Sequence, residues 1–194
     1  MKKVLIAGLA GGVVMFLWGF VSHEALPLGE MPIRTITNED VVIGALKTHL
    51  NRPGFYLIPG EGMMSPEAKD PQSPIRRAYE EKYRRGPTAV MFYHPDGKDP
   101  SLPTLLMTEF TTNLVSCLLA AWFVSCAAAS LRSYVSRVLF ITLLGLFAFI
   151  VVNVPYWNWY RFTDDFTLVE MVIRVGGFAL VGAVQAAIVK PPAA

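Results

Sequence analysis

Arg174 is the residue whose position most demands an explanation. It stands about two turns inside an apolar run that begins near Thr167. A lone cation there costs roughly 2.5–3.5 kcal/mol on insertion scales, so it needs water or an acid. Glu170 lies four residues earlier on the same helical face, the spacing of an i,i+4 ion pair. Glu109 falls about one turn inside another apolar run, and Asp164 and Asp165 come just before the run that holds Arg174. Two chemistries fit. In one, the guanidinium holds an anionic group and a glutamate exchanges protons. In the other, the charges pin two membrane helices together, with the acids ringing Arg174. The pin is the preferred reading. The polar faces extend it to a candidate intramembrane cluster of Glu109, Asn113, Glu170, Arg174 and Gln185, because polar side chains in apolar helices generally mark helix contacts.

Other reactive groups are few. His23, His49 and His94 lack metal-ligand spacing, and no phosphate loop, nucleophile elbow or HExxH motif occurs. No residue is therefore assigned a catalytic or metal-binding role, and no cofactor is implied. His23 with Glu24 forms a candidate pair at the rim of the first apolar run. Tyr156-Trp157-Asn158-Trp159-Tyr160 and Phe162 read as an interfacial aromatic belt; rings of this kind also stack on pigments, quinones or lipid headgroups. Cys117 and Cys126 lie about 13 Å apart along one helix, too far to pair within it.

These residues are set in a chain that is 53% hydrophobic and 16% charged, too apolar for an ordinary soluble domain. Four runs are long enough to cross roughly 30 Å of hydrocarbon: Val4 to Ser22, about Thr104 to Ser130, Val138 to Val154, and about Thr167 to Val189. Lys2, Lys3, Arg132, Arg137 and Lys190 flank them with no acid nearby. The opposite side has one short loop, Pro155 to Phe166, with Arg161 against Asp164 and Asp165. By the positive-inside rule both termini are cytoplasmic and residues 23–103 extracytoplasmic. His23 falls where signal cleavage after Ala25 needs a small residue, so a retained anchor is expected. Gly8, Gly12 and Gly19 form a small-residue face on that helix, suited to close packing.

Residues 23–103 hold eleven of the fourteen prolines and a near-balanced charge, ten basic against eleven acidic. This is the composition of a small folded domain. Thr37 with Asp40 reads as a capping box opening a helix that ends at Arg52-Pro53-Gly54. Phe55 to Ile58 reads as a strand. Met63 to Ser73 is a loop, and Ser73-Pro74 opens a helix that runs to Gly86-Pro87. Thr88 to Tyr93 is a second strand. Strand direction stays open.

Trp18-Gly-Phe-Val-Ser-His-Glu-Ala-Leu-Pro-Leu-Gly29, Asn38-Glu-Asp-Val-Val42 and Gly54-Phe-Tyr-Leu-Ile-Pro59 resemble an uncharacterised family of small bacterial multi-pass inner-membrane proteins. The resemblance covers the first 60 residues best. It implies an architecture and a bacterial setting, with no activity and no site residue.

The expected fold class is an α-helical membrane protein: four transmembrane helices with a small α/β extramembrane domain between the first and second. Its parts are the first helix (1–22), the α/β domain (23–103), a three-helix region (104–189) and a short tail (190–194). The expected partners are the lipid bilayer and other membrane subunits or further copies of the chain. Nothing suggests nucleic acid. The expected function is that of a non-catalytic accessory, structural or assembly subunit of a larger inner-membrane complex, respiratory or photosynthetic. The alternative is a small transporter or membrane enzyme using the Glu/Arg cluster.

Overall fold

A computed structural model describes residues 1–192. Four helices are long and apolar enough to cross a membrane, so the chain is a membrane protein. They are α1 (Lys2–Phe20), α4 (Leu102–Ala127), α5 (Tyr134–Tyr160) and α6 (Asp164–Ile188). Met1–Arg34 and the chain from Ser101 onward form one compact unit; Thr35–Pro100 forms a second.

The contacts fix how the four helices run. Gly8 meets Leu118, Gly12 meets Leu114, and Phe16 stacks edge-on against Phe110 at 5.5 Å. Numbers rise on α1 as they fall on α4, so the two helices are antiparallel. The same reversal relates α1 to α6, through Gln185 near Ala7, Met15 at Gly177 and Trp18 at Ile173. It also relates α5 to α6, through Arg137 at Ala186, Gly145 at Phe178 and Asn153 at Glu170. The helices therefore alternate in direction. The N-terminus, the 128–133 loop and the end of α6 share one end of the bundle.

Packing is uneven between the two ends. The contiguous apolar core, with Ala7, Cys117, Ala121, Val124, Ile141 and Val181 at its centre, lies in the half that holds the N-terminus. The helix α1 packs on both α4 and α6, and α6 packs on α5, whereas α4 touches α5 and α6 at few positions. Glycines set the close approaches. A Cβ on Gly8 would stand 2.9 Å from the Leu118 backbone, and one on Gly12 would stand 3.0 Å from that of Leu114. Gly19 has nothing within 4 Å, which corrects its assignment to the packing face: the α1–α4 contact thins out beyond Phe16. Gly11, absent from the sequence reading, sits against Gln185 and Val181.

Two of the boundary differences change the path of the chain. The helix α1 passes into a π-helical turn, Val21–Ala25, whose extra residue frees the Gly19 carbonyl for the Ser22 hydroxyl and the His23 ring. The helix α5 runs through Pro155 to Tyr160, so the expected loop from Pro155 to Phe166 shrinks to 161–163. A proline in a membrane helix is tolerated when neighbours cover the freed carbonyl.

The second unit contains α2 (Glu39–His49), β1 (Gly54–Ile58), a short 3₁₀ turn (Pro66–Lys69), α3 (Pro74–Arg85) and β2 (Ala89–Tyr93). The strands are antiparallel, with Gly54 opposite Tyr93 and Ile58 opposite Ala89. Phe55 and Phe92 pair across them at 5.0 Å. Ser73 caps α3 by accepting from the Arg76 amide at 3.0 Å. Thr37 does not cap α2. Asn38 does so through its backbone, in the left-handed region with no side-chain bond, a conformation that asparagine tolerates better than β-branched threonine. No described residue of α2 or α3 is buried.

The exposed face of α3 is laced by ion pairs. The Arg76 guanidinium, bonded to Glu80 at 2.6 Å, holds that carboxyl below its ordinary value of 4.5. Lys82 does the same for Glu61 from another segment. A carboxyl lowered in the folded state contributes stability that is present above its unfolded value and is lost as pH falls through the lower, folded one. The protection of the α3 amides, after the intrinsic pH dependence of exchange is divided out, is therefore expected to hold steady from neutral pH to about pH 5 and to fall below pH 4.5. Glu80→Gln should flatten that acid limb; an unchanged limb would show that the pairing contributes nothing.

Candidate functional site

The sequence-derived cluster separates into three places. Gln185 is fully buried in the packed half. Its amide nitrogen donates to the Cys117 carbonyl at 2.7 Å and to the Ala7 carbonyl at 3.3 Å. One side chain thus ties α6 to α4 and α1. A pin between the second and fourth spans exists, but it is this amide rather than a Glu109–Arg174 ion pair.

The second place is the α5–α6 seam in the other half. Arg174 donates to Glu170 at 2.9 Å. The Asn153 amide reaches the same Glu170 oxygen at 3.5 Å. Asn153 is only 6% exposed, and its own carbonyl oxygen has no partner among the described residues. The ion pair is less covered: the Arg174 side chain is 44% exposed and that of Glu170 23%.

The third place is on α4. Glu109 accepts from the Asn113 amide at 3.0 Å and forms no ion pair among the described residues. Phe16 touches Phe110 on α4, while its neighbours Met15 and Trp18 touch Gly177 on α6. Glu109 therefore stands at nearly the same height in the bundle as Arg174. The two charges face an end of the bundle that α4 leaves open.

The expected ring of acids around Arg174 does not form. Asp165 takes Arg34 at 3.1 Å, which fastens the 26–34 turn to the start of α6. Asp164 accepts from the Trp157 indole at 2.7 Å. The candidate rim pair does not pair either. His23 Nδ1 lies 2.9 Å from the Gly19 carbonyl and 3.1 Å from the Ser22 hydroxyl, and Gly29 closes over the ring so tightly that a Cβ there would clash with it. Both cysteines are free, Cys117 buried and Cys126 exposed. Among the described residues no group of histidine, cysteine and carboxylate side chains is arranged to hold a metal.

Sequence reasoning missed two groups. Arg137 has the sequence position of a topology charge, yet it is buried. Its guanidinium donates to the carbonyls of Leu131, Arg132 and Ser133, each at 3.0 Å, and to Ala186 at 3.1 Å. Ala186 is among the last four carbonyls of α6, which lack helical donors, and a cation favours that helix end. The signal in the sequence was an arginine one turn inside a helix with no acid in reach. The other is Trp18, whose indole donates to the Ile173 carbonyl at 2.8 Å over Gly176 and Gly177.

Taken together, fold and site define a polytopic helical membrane protein whose bundle is closed by a buried core at one end and left open and charged at the other. No family model, curated protein or solved structure matches the chain.

Proposed function

We propose that this chain is a non-catalytic accessory or assembly subunit of a larger membrane complex. The observation that carries this reading is the half-exposed Glu170–Arg174 pair, with Glu109 opposite, at a depth where charge is costly. Translocon scales put a charged side chain at roughly 2.5–3.5 kcal/mol at a helix centre, falling toward the interface. A protein surface laid over the open end would remove that cost. The second unit points the same way, since Ala68 and Ser73 are its only buried residues. The proposed setting is a bacterial inner membrane, which rests on the resemblance of the first 60 residues. Lys2, Lys3, Arg132 and Lys190 then mark the cytoplasmic end by the positive-inside rule, and residues 23–103 are extracytoplasmic, with the α/β domain confined to Thr35–Pro100. Purification from native membranes in mild detergent, followed by mass spectrometry, is the test. A stable monomer with no co-purifying subunit would end this reading.

The second reading, a small transporter or membrane enzyme, draws on the unpartnered Asn153 oxygen beside Glu170. Arg174→Gln separates the two. For an accessory subunit, the variant should assemble poorly while the isolated chain still folds. For a transporter, protein level and assembly should hold while transport is lost.

A further inference from the structure

We propose that the open end of the bundle is closed by a second copy of this chain. The two copies would be related by a two-fold axis along the membrane normal, with Glu109 of each against Arg174 of the other. The inference rests on the reading that protein, rather than lipid, covers this surface.

Charge complementarity carries it. Glu109 has an asparagine amide as its hydrogen-bond partner and, among the described residues, no cation. Arg174 presents five N–H donors, and one of its nitrogens bonds Glu170 while the side chain stays 44% exposed. The two charges stand at nearly the same height, on helices that hardly touch, and form no ion pair with each other. Opposite charges at one level on two helices are self-complementary under a two-fold along the membrane normal: each acid meets the partner's base and each base the partner's acid. A hetero-partner would have to supply its own matching charges; a second copy already has them. The rest of the surface also suits helix approach. Thr108 and Thr112 on α4 return their hydroxyls to carbonyls one turn earlier, at 3.0 and 2.9 Å, so neither hydroxyl proton is left unbonded.

The test uses the full chain in lipid nanodiscs and mild detergent, with mass read by light scattering. The wild type should be a dimer. Glu109→Gln should weaken dimerisation by at least about tenfold, and Glu109→Lys should give monomer. Arg174→Glu should also give monomer, with helicity and melting checked because it places two acids four residues apart. The deciding result is complementation. Glu109→Lys and Arg174→Glu chains, co-expressed with different tags, should capture each other, although neither captures itself. A wild-type monomer, or a dimer that Glu109→Lys leaves intact, overturns the proposal. A different membrane protein that co-purifies with wild type and is lost in Glu109→Lys also overturns it, and leaves the accessory reading standing. A chain with no partner at all in native membranes ends both.

Discussion

Arg137→Met is expected to be the most damaging single substitution in the bundle. Methionine keeps much of the apolar stem and removes the guanidinium. The carbonyls of Leu131, Arg132, Ser133 and Ala186 then lose their common donor. Each buried polar group left unpaired costs about 1–3 kcal/mol. Some of the freed carbonyls will find water at the bundle end, so the total should be roughly 3–5 kcal/mol, as for breaking a buried charged contact. The 128–133 loop should also loosen, because three of the four carbonyls belong to that loop. Arg137→Lys should recover only part of the loss, since a point-like ammonium cannot serve the loop and the end of α6 together. Thermal unfolding in micelles, with amide exchange over 128–137, measures both effects. A Met variant that melts like the wild type would show that the carbonyls are satisfied without the arginine.

Gly8→Leu ranks second. The obstruction at Gly8 includes the backbone of Leu118, not only the flexible end of its side chain. The helices α1 and α4 must therefore move apart, and Gly12 at Leu114 and Phe16 at Phe110 move with them. Overpacking typically costs about 1–3 kcal/mol, occasionally more, and this one sits where α1 must also hold α6. Gly19→Ala, on the same helical face, should do the opposite. It meets nothing within 4 Å, and alanine favours a helix over glycine by about 1 kcal/mol, so it should be neutral or slightly stabilising. Melting temperatures of the two variants compare the effects directly. Equal behaviour would contradict the divergence of α1 from α4 beyond Phe16.

That contrast shows how far the sequence could be read. Gly8, Gly12 and Gly19 are equivalent by helical spacing, and nothing in their residue type distinguishes them. Whether a glycine face is occupied depends on where the neighbouring helix goes. Likewise, Gln185 was legible as polar and inward, but not as the tie among three helices, because its acceptors are Ala7 and Cys117, distant in the chain. Arg137 looked like other loop cations, since its carbonyl partners leave no mark on residue identity. Thr37 resembled a cap because composition favours it there; the backbone of Asn38 took the role instead. Pro155 looked like a helix end, yet α5 continues through it.

What the amino-acid sequence determined by itself was the set of membrane helices and most of the elements between them. An apolar run of about twenty residues has no lower-energy state in a bilayer than a helix that satisfies its own backbone. Ser73-Pro74 likewise begins a helix through local bonds. The tertiary structure alone decided which charges meet. Arg174 found Glu170 one turn away, but Glu109 stayed apart from both, because α1 lies between α4 and α6 and holds them close only where its glycines allow. Small side chains near Ala7–Gly12 draw one end of the bundle shut. Beyond Phe16 the side chains are larger and α4 is not held against α6, so Glu109 and Arg174 remain at one height without touching.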